Sequence, residues 1–313
     1  MEGYDFTGAA AFKGNLPQNA CDKVIALICE SREVNSLMDV FSWDKSTVIE
    51  CENIDETVRY TSYDGYDFLS LIYAERQNGE LLQREINVFF AENYLAAVFP
   101  ADMPPSLSKL RADLTETLRL SGERAEPLKY LYYFILSALA DSFSDILERL
   151  EDEMEDLSEE IEGKPTDEHS AEIGRLRKTA YTLKKLLRAT AYVGGQIVVG
   201  ENKLLDKKHT RRFKNIDERF LKLYDFADSL MDLSNELLHT YDSKLSAKMN
   251  ETVNKLTIMT LFFGPTSLIA GIYGMNFAHM PELGWAYGYP ASIALMVLIS
   301  AVIYIVLKVK KWL

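Results

Sequence analysis

The pattern of apolar and polar positions changes twice along the chain. Between residues 23 and 100, short segments rich in β-branched and aromatic residues alternate with turn signals such as Asp64-Gly65, which predicts strands. The predicted strands are residues 23–30, 46–52, 57–63, 67–75, 85–93 and 94–100. Residues 35–42 predict a short helix between the first two strands. This part of the chain therefore predicts a small α/β domain with a mixed or largely antiparallel sheet.

From residue 106 onward the apolar period becomes 3.6 residues, which predicts helices. The predicted helices are residues 106–121, 126–162 and 167–205, the last two forming an antiparallel pair. A final helical pattern begins near Phe213 and meets its first glycine and proline at Gly264-Pro265. If it is one helix to residue 273, it is roughly 90 Å long.

Two uncharged apolar runs, residues 256–273 and 287–307, lie near the end of the sequence. A helix needs about 20 apolar residues to cross a hydrocarbon core of ~30 Å. Lysines flank the pair on both sides, whereas the connecting loop has no Lys or Arg, so we expect a membrane hairpin with both ends cytoplasmic and the loop outside. The flanking lysines are Lys244, Lys248, Lys255, Lys308, Lys310 and Lys311. The alternative, a buried hairpin of a soluble protein, does not account for this lysine asymmetry.

Composition narrows the range of functions. The net charge of −13 argues against nucleic-acid binding, which requires a basic face. The N-terminus has no basic segment followed by an apolar one, so we expect the N-terminal part to stay in the cytosol. Three scattered cysteines, Cys21, Cys29 and Cys51, fit reduced thiols, each most simply a buried small apolar residue.

The chain carries no sign of an enzyme. It lacks a Gly-x-x-x-x-Gly-Lys-Ser/Thr phosphate loop, and its four histidines form no visible nucleophile–base set, so we expect no catalysis, no ATP and no organic cofactor. Inward movement of a divalent cation needs only the membrane potential, which supplies about 4.6 kcal/mol per 100 mV for two charges. Residues 141–162 hold eleven acids against one base, Arg149. They are either a solvated helix face or a field that concentrates divalent cations.

Gly274-Met275-Asn276 follows the first apolar run and is a weak signal by itself. Its surroundings strengthen it: it stands at the outer end of the first of two spans and is accompanied by further short segments. These are Lys248-Met249-Asn250-Glu251, Met280-Pro281-Glu282-Leu283, Gly288-Tyr289-Pro290 and Lys310-Lys311-Trp312-Leu313. Together they closely resemble the CorA family of magnesium transporters, over about residues 241–313.

The resemblance implies an α+β cytosolic domain of αβα-like build, followed by a long α-helical stalk and two C-terminal transmembrane helices, in a homopentameric funnel. The implied layout is a cytosolic α/β domain (1–125), long antiparallel cytosolic helices (126–210), stalk and first span (211–273), an outer loop (274–286), second span (287–307) and a basic cytosolic tail (308–313).

The resemblance also implies a function. It is channel-like uptake of Mg²⁺ across the plasma (inner) membrane down the electrochemical gradient, gated by intracellular Mg²⁺ bound to the cytosolic domain. The implied partners are other copies of the chain, the lipid bilayer, Mg²⁺ and, as further candidates, Co²⁺ or Ni²⁺. The alternatives are a Co²⁺, Ni²⁺ or Zn²⁺ transporter of the same family, or a membrane-anchored metal sensor that conducts nothing. Zinc would favour His or Cys near the pore, where His279 is the sole candidate.

Site residues carry over from the family by position. Gly274, Met275 and Asn276 would form the selectivity filter, where an Asn ring and Gly carbonyls accept hydrogen bonds from the water shell that Mg²⁺ gives up reluctantly. Asn276 could also be a helix C-cap. The implied pore-lining residues are Asn250, Val253, Leu256, Gly264, Ser267 and Gly271, of which Val253 and Leu256 would form an apolar constriction.

Two positions depart from the family pattern. The outer loop has Ala278 where some members have an acid, which leaves Glu282 to attract cations. A regulatory aspartate of the family falls on Asn215 when counted back without gaps, and Asp217 stands two residues further on. We take Asp217 as the candidate regulatory ligand.

Overall fold

A seven-stranded mixed sheet forms the core of the first part of the molecule, in the order β2-β1-β3-β7-β6-β5-β4. The computed structural model describes residues 1–52, 57–77, 79–200, 204–275, 280–310 and 312, without the side chains of residues 123, 282 and 283. The strands are Glu2–Asp5 (β1), Ala10–Lys13 (β2), Ile25–Glu30 (β3), Arg59–Tyr63 (β4), Tyr66–Gln77 (β5), Glu80–Ala91 (β6) and Tyr94–Phe99 (β7). Neighbours run antiparallel except β3 and β7, which are parallel.

Seven α-helices accompany the sheet. They are Asn35–Phe41 (α1), Lys45–Glu52 (α2), Pro105–Leu120 (α3), Pro127–Gly163 (α4), Asp167–Val199 (α5), Lys207–Tyr273 (α6) and Gly288–Val309 (α7), as far as the described residues extend. A short 3-10 turn, Pro281–Gly284, precedes α7.

The sheet is covered on both faces, as two adjacent residues of β6 illustrate. Successive side chains of a strand point to opposite faces. The Phe89 ring stacks on Trp43, between α1 and α2, with centroids 3.8 Å apart, and the Phe90 ring stacks on Tyr132 of α4 at 4.5 Å. This three-layer arrangement confirms the predicted αβα-like build.

Helices α4, α5 and α6 pack through apolar stripes and are joined by ion pairs. The stripe of α4 includes Leu139, Phe143 and Leu150, all of them buried. Arg219 of α6 lies 2.5 Å from Asp141 of α4, and Lys184 of α5 pairs with Asp228 of α6. Part of the acidic face of α4 is therefore neutralised within the chain.

The prediction of a strand over residues 46–52 was wrong, because this segment is helix α2. Asp44 explains the difference. Its carboxylate accepts a hydrogen bond from the backbone N–H of Ser46 at 2.8 Å, and its carbonyl accepts one from the Thr47 hydroxyl at 2.7 Å. Such capping favours a helix start, and Thr47, Val48 and Cys51 then form one buried face.

Other sequence predictions need smaller corrections. The hairpin β1–β2 was not predicted, α5 ends at Val199 instead of residue 205, and α6 begins at Lys207 instead of near Phe213. Pro265 lies inside α6, which continues past it. Cys29 and Cys51 are buried as expected, but Cys21 is exposed and donates a hydrogen bond from its Sγ to the Val40 carbonyl.

The chain divides into two units, Met1–His239 and Thr240–Leu313. Among the described residues, α6 and α7 are long and apolar enough to cross a membrane, and α7 and the apolar part of α6 belong to the second unit. None of the most apolar window of α6 is buried, and 11% of that of α7 is buried. A core helix of a soluble protein would be mostly buried, so these exposures favour the membrane hairpin.

Candidate functional site

The part of α6 in the second unit has two different faces. Between residues 256 and 273, six residues are half-buried. Five of them share one side of the helix: Ile258, Phe262, Pro265, Thr266 and Ile269. At about 100° per residue, this covered side is centred roughly half a turn away from the positions predicted to line a pore.

The predicted pore-lining positions are all exposed and share a face. Asn250, Val253, Leu256, Gly264, Ser267 and Gly271 are exposed in the chain. Their spacing along α6 confines them to about a third of the helix circumference. This face of α6 is therefore exposed in the single chain, and it lies opposite the side that other residues of the chain cover.

Small residues make this face of α6 shallow between Gly264 and Gly271. Apart from its two chain neighbours and the nearby backbone of α6, a Cβ built on Gly264 or Gly271 would meet no described heavy atom within 4 Å. Together with Ser267, these glycines leave the backbone of α6 accessible over two turns. Such a surface allows either close approach of another helix or a wide lumen.

The α6 helix ends at the predicted selectivity filter. The N–H of Gly274 donates to the Ala270 carbonyl at 2.9 Å, and the N–H of Met275 donates to the Ile272 carbonyl at 3.2 Å. Both residues are exposed. Asn276 lies outside the described residues, and so does the side chain of Glu282. The structure thus places Gly274 and Met275 directly after the apolar span. The roles of Asn276 and Glu282 stay predictions.

A cavity of about 450 Å³ lies beside the end of α6 within the second unit. Its lining includes Tyr273 at the end of α6, the following Gly274, and Tyr289 and Ser292 from α7. Trp285 also lines it and meets the Tyr287 ring edge-on, with centroids 6.0 Å apart. Aromatic residues of this kind are typical of the membrane–water interface. The cavity thus places aromatic side chains beside Gly274, the glycine of the predicted filter.

Asp217, the candidate regulatory ligand, belongs to the first unit and lies against α5. A Cβ on Gly194 would stand 3.0 Å from Asp217 Oδ1, so the close approach of the two helices depends on this glycine. Burial and, next, the charge of Glu218 raise the pKa of Asp217, and Lys214 opposes them. A half-buried carboxylate whose ionised form is disfavoured would gain from a cation. Gly194 itself carried no signal in the sequence, because its role depends on a contact across 23 positions.

Comparison with known proteins identifies the relatives of this chain. A family model described as CorA-like Mg²⁺ transporter protein matches residues 28–311. The cobalt/magnesium transport protein CorA of Thermotoga maritima is 33% identical over 190 residues, which are 61% of this chain and 54% of that protein. The chain thus aligns with about half the length of this relative. The magnesium transport protein CorA of Yersinia pestis is 26% identical over 273 residues, 84% of this chain and 83% of that protein.

A solved structure has the same fold. The complete structure of the CorA magnesium transporter from Methanocaldococcus jannaschii superposes with a TM-score of 0.84, covering 100% of this chain and 98% of that one. The sequence identity is 21%, so this similarity concerns the fold alone.

Proposed function

Because the chain belongs to the family of CorA-like Mg²⁺ transporter proteins, we propose that it is a channel-like transporter that takes up Mg²⁺. The ion moves across the plasma membrane, down its electrochemical gradient, with no nucleotide and no organic cofactor. Both chain termini lie in the cytoplasm, the loop at residues 274–286 lies outside, and residues 308–313 form a basic cytoplasmic tail. Two charges moving inward gain about 4.6 kcal/mol per 100 mV.

The observation that carries this proposal is the exposed face of α6. It holds the predicted pore positions and lies opposite the covered face. Two helices cannot close around a lumen, so the path requires several copies in a closed ring with this face inward. A ring of five, as the family resemblance implies, is the assembly that we propose.

The chemistry of the residues suits a hydrated ion. Mg²⁺ loses its water shell only to near-ideal octahedral oxygen cages, which one Asn and one Gly carbonyl per chain cannot supply. Asn276 and the Gly274 carbonyl instead accept hydrogen bonds from the bound waters, and Met275 completes the filter. Neutral dipoles hold the ion weakly enough for it to leave. Glu282 raises the local concentration of cations near the entrance.

Flow is controlled at two places. Val253 and Leu256 are exposed, apolar and one turn apart on the same face of α6. In a ring they form an apolar constriction that blocks ions when it loses its water. Asp217 binds intracellular Mg²⁺ and favours the closed state when the ion is plentiful.

Ion flux into proteoliposomes tests the function. We expect Mg²⁺ uptake by the wild-type protein and loss of most of it in Asn276→Ala. The matched control is Asn254→Ala, which makes the same change at an exposed residue of α6 about 40° outside the predicted pore face. The control should conduct like the wild type. Repeating the assay with Co²⁺, Ni²⁺ and Zn²⁺ defines the selectivity.

Two results would contradict the proposal. One is the absence of Mg²⁺-dependent flux in the wild type. The other is equal flux in Asn276→Ala and Asn254→Ala, which would remove the filter assignment. A larger flux of Zn²⁺ or Co²⁺ than of Mg²⁺ would change the substrate.

A further inference from the structure

A histidine and two carboxylates meet where α4 and α6 begin, within the first unit. The groups are Glu126, Asp206 and His209, and one ligand atom from each lies within 4.8 Å of the others. Glu126 directly precedes α4, and Asp206 directly precedes α6. His209 is only 5% exposed, although it lies in the first turn of a helix whose neighbouring residues are charged.

The orientation of the His209 ring is fixed by Asp206. Asp206 Oδ1 accepts hydrogen bonds from the backbone N–H groups of Lys208 and His209 at 3.0 and 2.9 Å, as helix N-caps do. The same oxygen lies 2.8 Å from His209 Nδ1. An ionised carboxylate can only accept, so Nδ1 carries the hydrogen and donates it.

The second nitrogen of the ring, Nε2, then faces another hydrogen-bond acceptor. His209 Nε2 lies 3.3 Å from Glu126 Oε2. With its hydrogen on Nδ1, a neutral imidazole points a lone pair from Nε2 at an oxygen that also has only lone pairs. Two acceptors at this distance need a cation between them, either a proton or a metal ion.

We propose that Glu126 and His209, with Asp206 fixing the orientation of the His209 ring, form a binding site for a divalent transition metal of the zinc class, separate from the Mg²⁺ path. Imidazole nitrogen with carboxylate oxygens suits Zn²⁺, Co²⁺ or Ni²⁺, whereas Mg²⁺ prefers oxygen alone. Ligands about 2.0–2.1 Å from a tetrahedral ion lie about 3.3–3.4 Å apart, which fits the distance between His209 Nε2 and Glu126 Oε2. A carboxylate that holds the other nitrogen of a ligating His, as Asp206 does, is the usual companion of such a ligand.

Lys129 competes with the metal for this site. Its Nζ lies 2.8 Å from Glu126 Oε1 and 3.6 Å from Asp206 Oδ2. The single ammonium therefore offsets part of the negative charge of the two carboxylates when no metal is bound. Lys129 is an i+3 neighbour of Glu126 and is partly exposed, so its flexible side chain can move into solvent when the ion enters. A bound metal would join the start of α4 to the start of α6, the helix that continues into the span.

Zinc binding to the full-length protein in detergent tests the proposal. The protein carries a tag without histidine, and Mg²⁺ is kept in excess to occupy sites made of oxygen alone. We expect one Zn²⁺ per chain that is weakened at least ~100-fold in His209→Gln, because loss of a ligand exceeds the ~10–100-fold effect of losing a ligand's hydrogen-bond partner. Lys129→Gln removes the competing charge and should tighten binding about tenfold.

A matched control and a spectroscopic measurement separate the site from other causes. His169 Nε2 also lies near one carboxylate, Glu160, at 3.6 Å, so His169→Gln should bind Zn²⁺ like the wild type. X-ray absorption at the zinc edge should include one imidazole nitrogen in the wild type, which His209→Gln loses. Equal binding by wild type and His209→Gln, a zinc shell of oxygen alone, or unchanged affinity in Lys129→Gln would each overturn the proposal. None of these measurements depends on flux. The metal-site proposal can therefore be disproved while the transport function stands, and the transport function can be disproved while the metal site stands.

Discussion

The two units of the chain differ in whether their large apolar side chains are buried or exposed. In the first unit, large side chains such as Phe89, Phe143 and Phe220 are buried against the unit's own residues. In the described part of the second unit, the buried residues are Tyr241, Ser292 and Leu307, and long runs of Leu, Ile, Val and Phe are exposed. The first unit completes its own core. The exposed apolar surface of the second unit suits the lipid and the further copies of the chain that we propose around it.

The largest difference between the units should follow from truncating a phenylalanine in each. Phe89 is fully buried, stacks on Trp43 and packs against Phe68 with the two rings tilted, so Phe89→Ala leaves a cavity and should cost about 3–5 kcal/mol of unfolding free energy. Phe263 in α6 is 69% exposed, and Phe263→Ala should leave the stability of the first unit unchanged. Denaturant unfolding followed by tryptophan fluorescence, to which Trp43 contributes, measures both. A similar loss in both variants would contradict the division into two differently stabilised units.

A charge placed on each exposed surface should give the next largest effect. Leu298 in α7 is 61% exposed, and Leu120 at the end of α3 is 71% exposed. Leu298→Arg puts a charge near the centre of the proposed second span, which costs about 2.5–3.5 kcal/mol on insertion. Leu120→Arg is an ordinary surface change worth within about 0.5 kcal/mol. The fraction of protein in the membrane after expression measures the difference. Equal membrane fractions would show that the exposure of α7 has nothing to do with lipid.

A third prediction concerns the two sides of α6. Leu256→Asn makes the proposed constriction polar, so it should hold water and pass Mg²⁺ at internal Mg²⁺ concentrations that close the wild type. Removing a barrier of about 1.4 kcal/mol raises the flux about tenfold. Leu261→Asn is the control, because Leu261 is also exposed but lies about 140° away around the helix. The prediction fails if both variants leak equally or if neither does.

The smallest expected effect concerns Asp217 in the first unit. Burial and Glu218 raise the pKa of its carboxyl group, so ionisation at neutral pH costs stability that returns as the pH falls through the raised pKa. Asp217→Asn should therefore melt slightly higher than the wild type at pH 7 without divalent ions, and this gain should vanish at low pH. Added Mg²⁺ should raise the Tm of the wild type more than that of the variant. Asp225→Asn, at an exposed position of α6, is the control and should respond to Mg²⁺ like the wild type.

Local patterns were sufficient for the long elements of the fold. The 3.6-residue apolar period predicted α4, and the length of the uncharged runs predicted the two apolar helices near the end of the chain. These signals are repeated over many residues, so a single exception does not hide them. The short motif around Gly274 indicated the family because several segments occurred together in a fixed order.

Features that depend on contacts between distant residues could not be predicted. Helix α2 has a strand-like composition, and the cap that decides its structure is a single residue, Asp44. The β1–β2 hairpin owes its place to pairing with β3, which begins twelve residues after β2 ends. Glu126 meets His209 across 83 positions, and no local spacing indicates that meeting. The position of Asp217 beside Gly194 is of the same kind.

Thiol accessibility along α6 tests the central claim, that the exposed face of this helix lines the ion path. Single cysteines replace Gly264, Ser267 and Gly271 on this face, and Ile258, Phe262 and Ile269 on the covered face, each in a Cys21→Ser background. Cys29 and Cys51 can remain, because both are buried and burial raises the pKa of the Cys29 thiol to about 12. We predict that a membrane-impermeant thiol reagent modifies the first three positions and blocks Mg²⁺ flux. Modification of the second three instead, or block that does not depend on the face, would contradict the account.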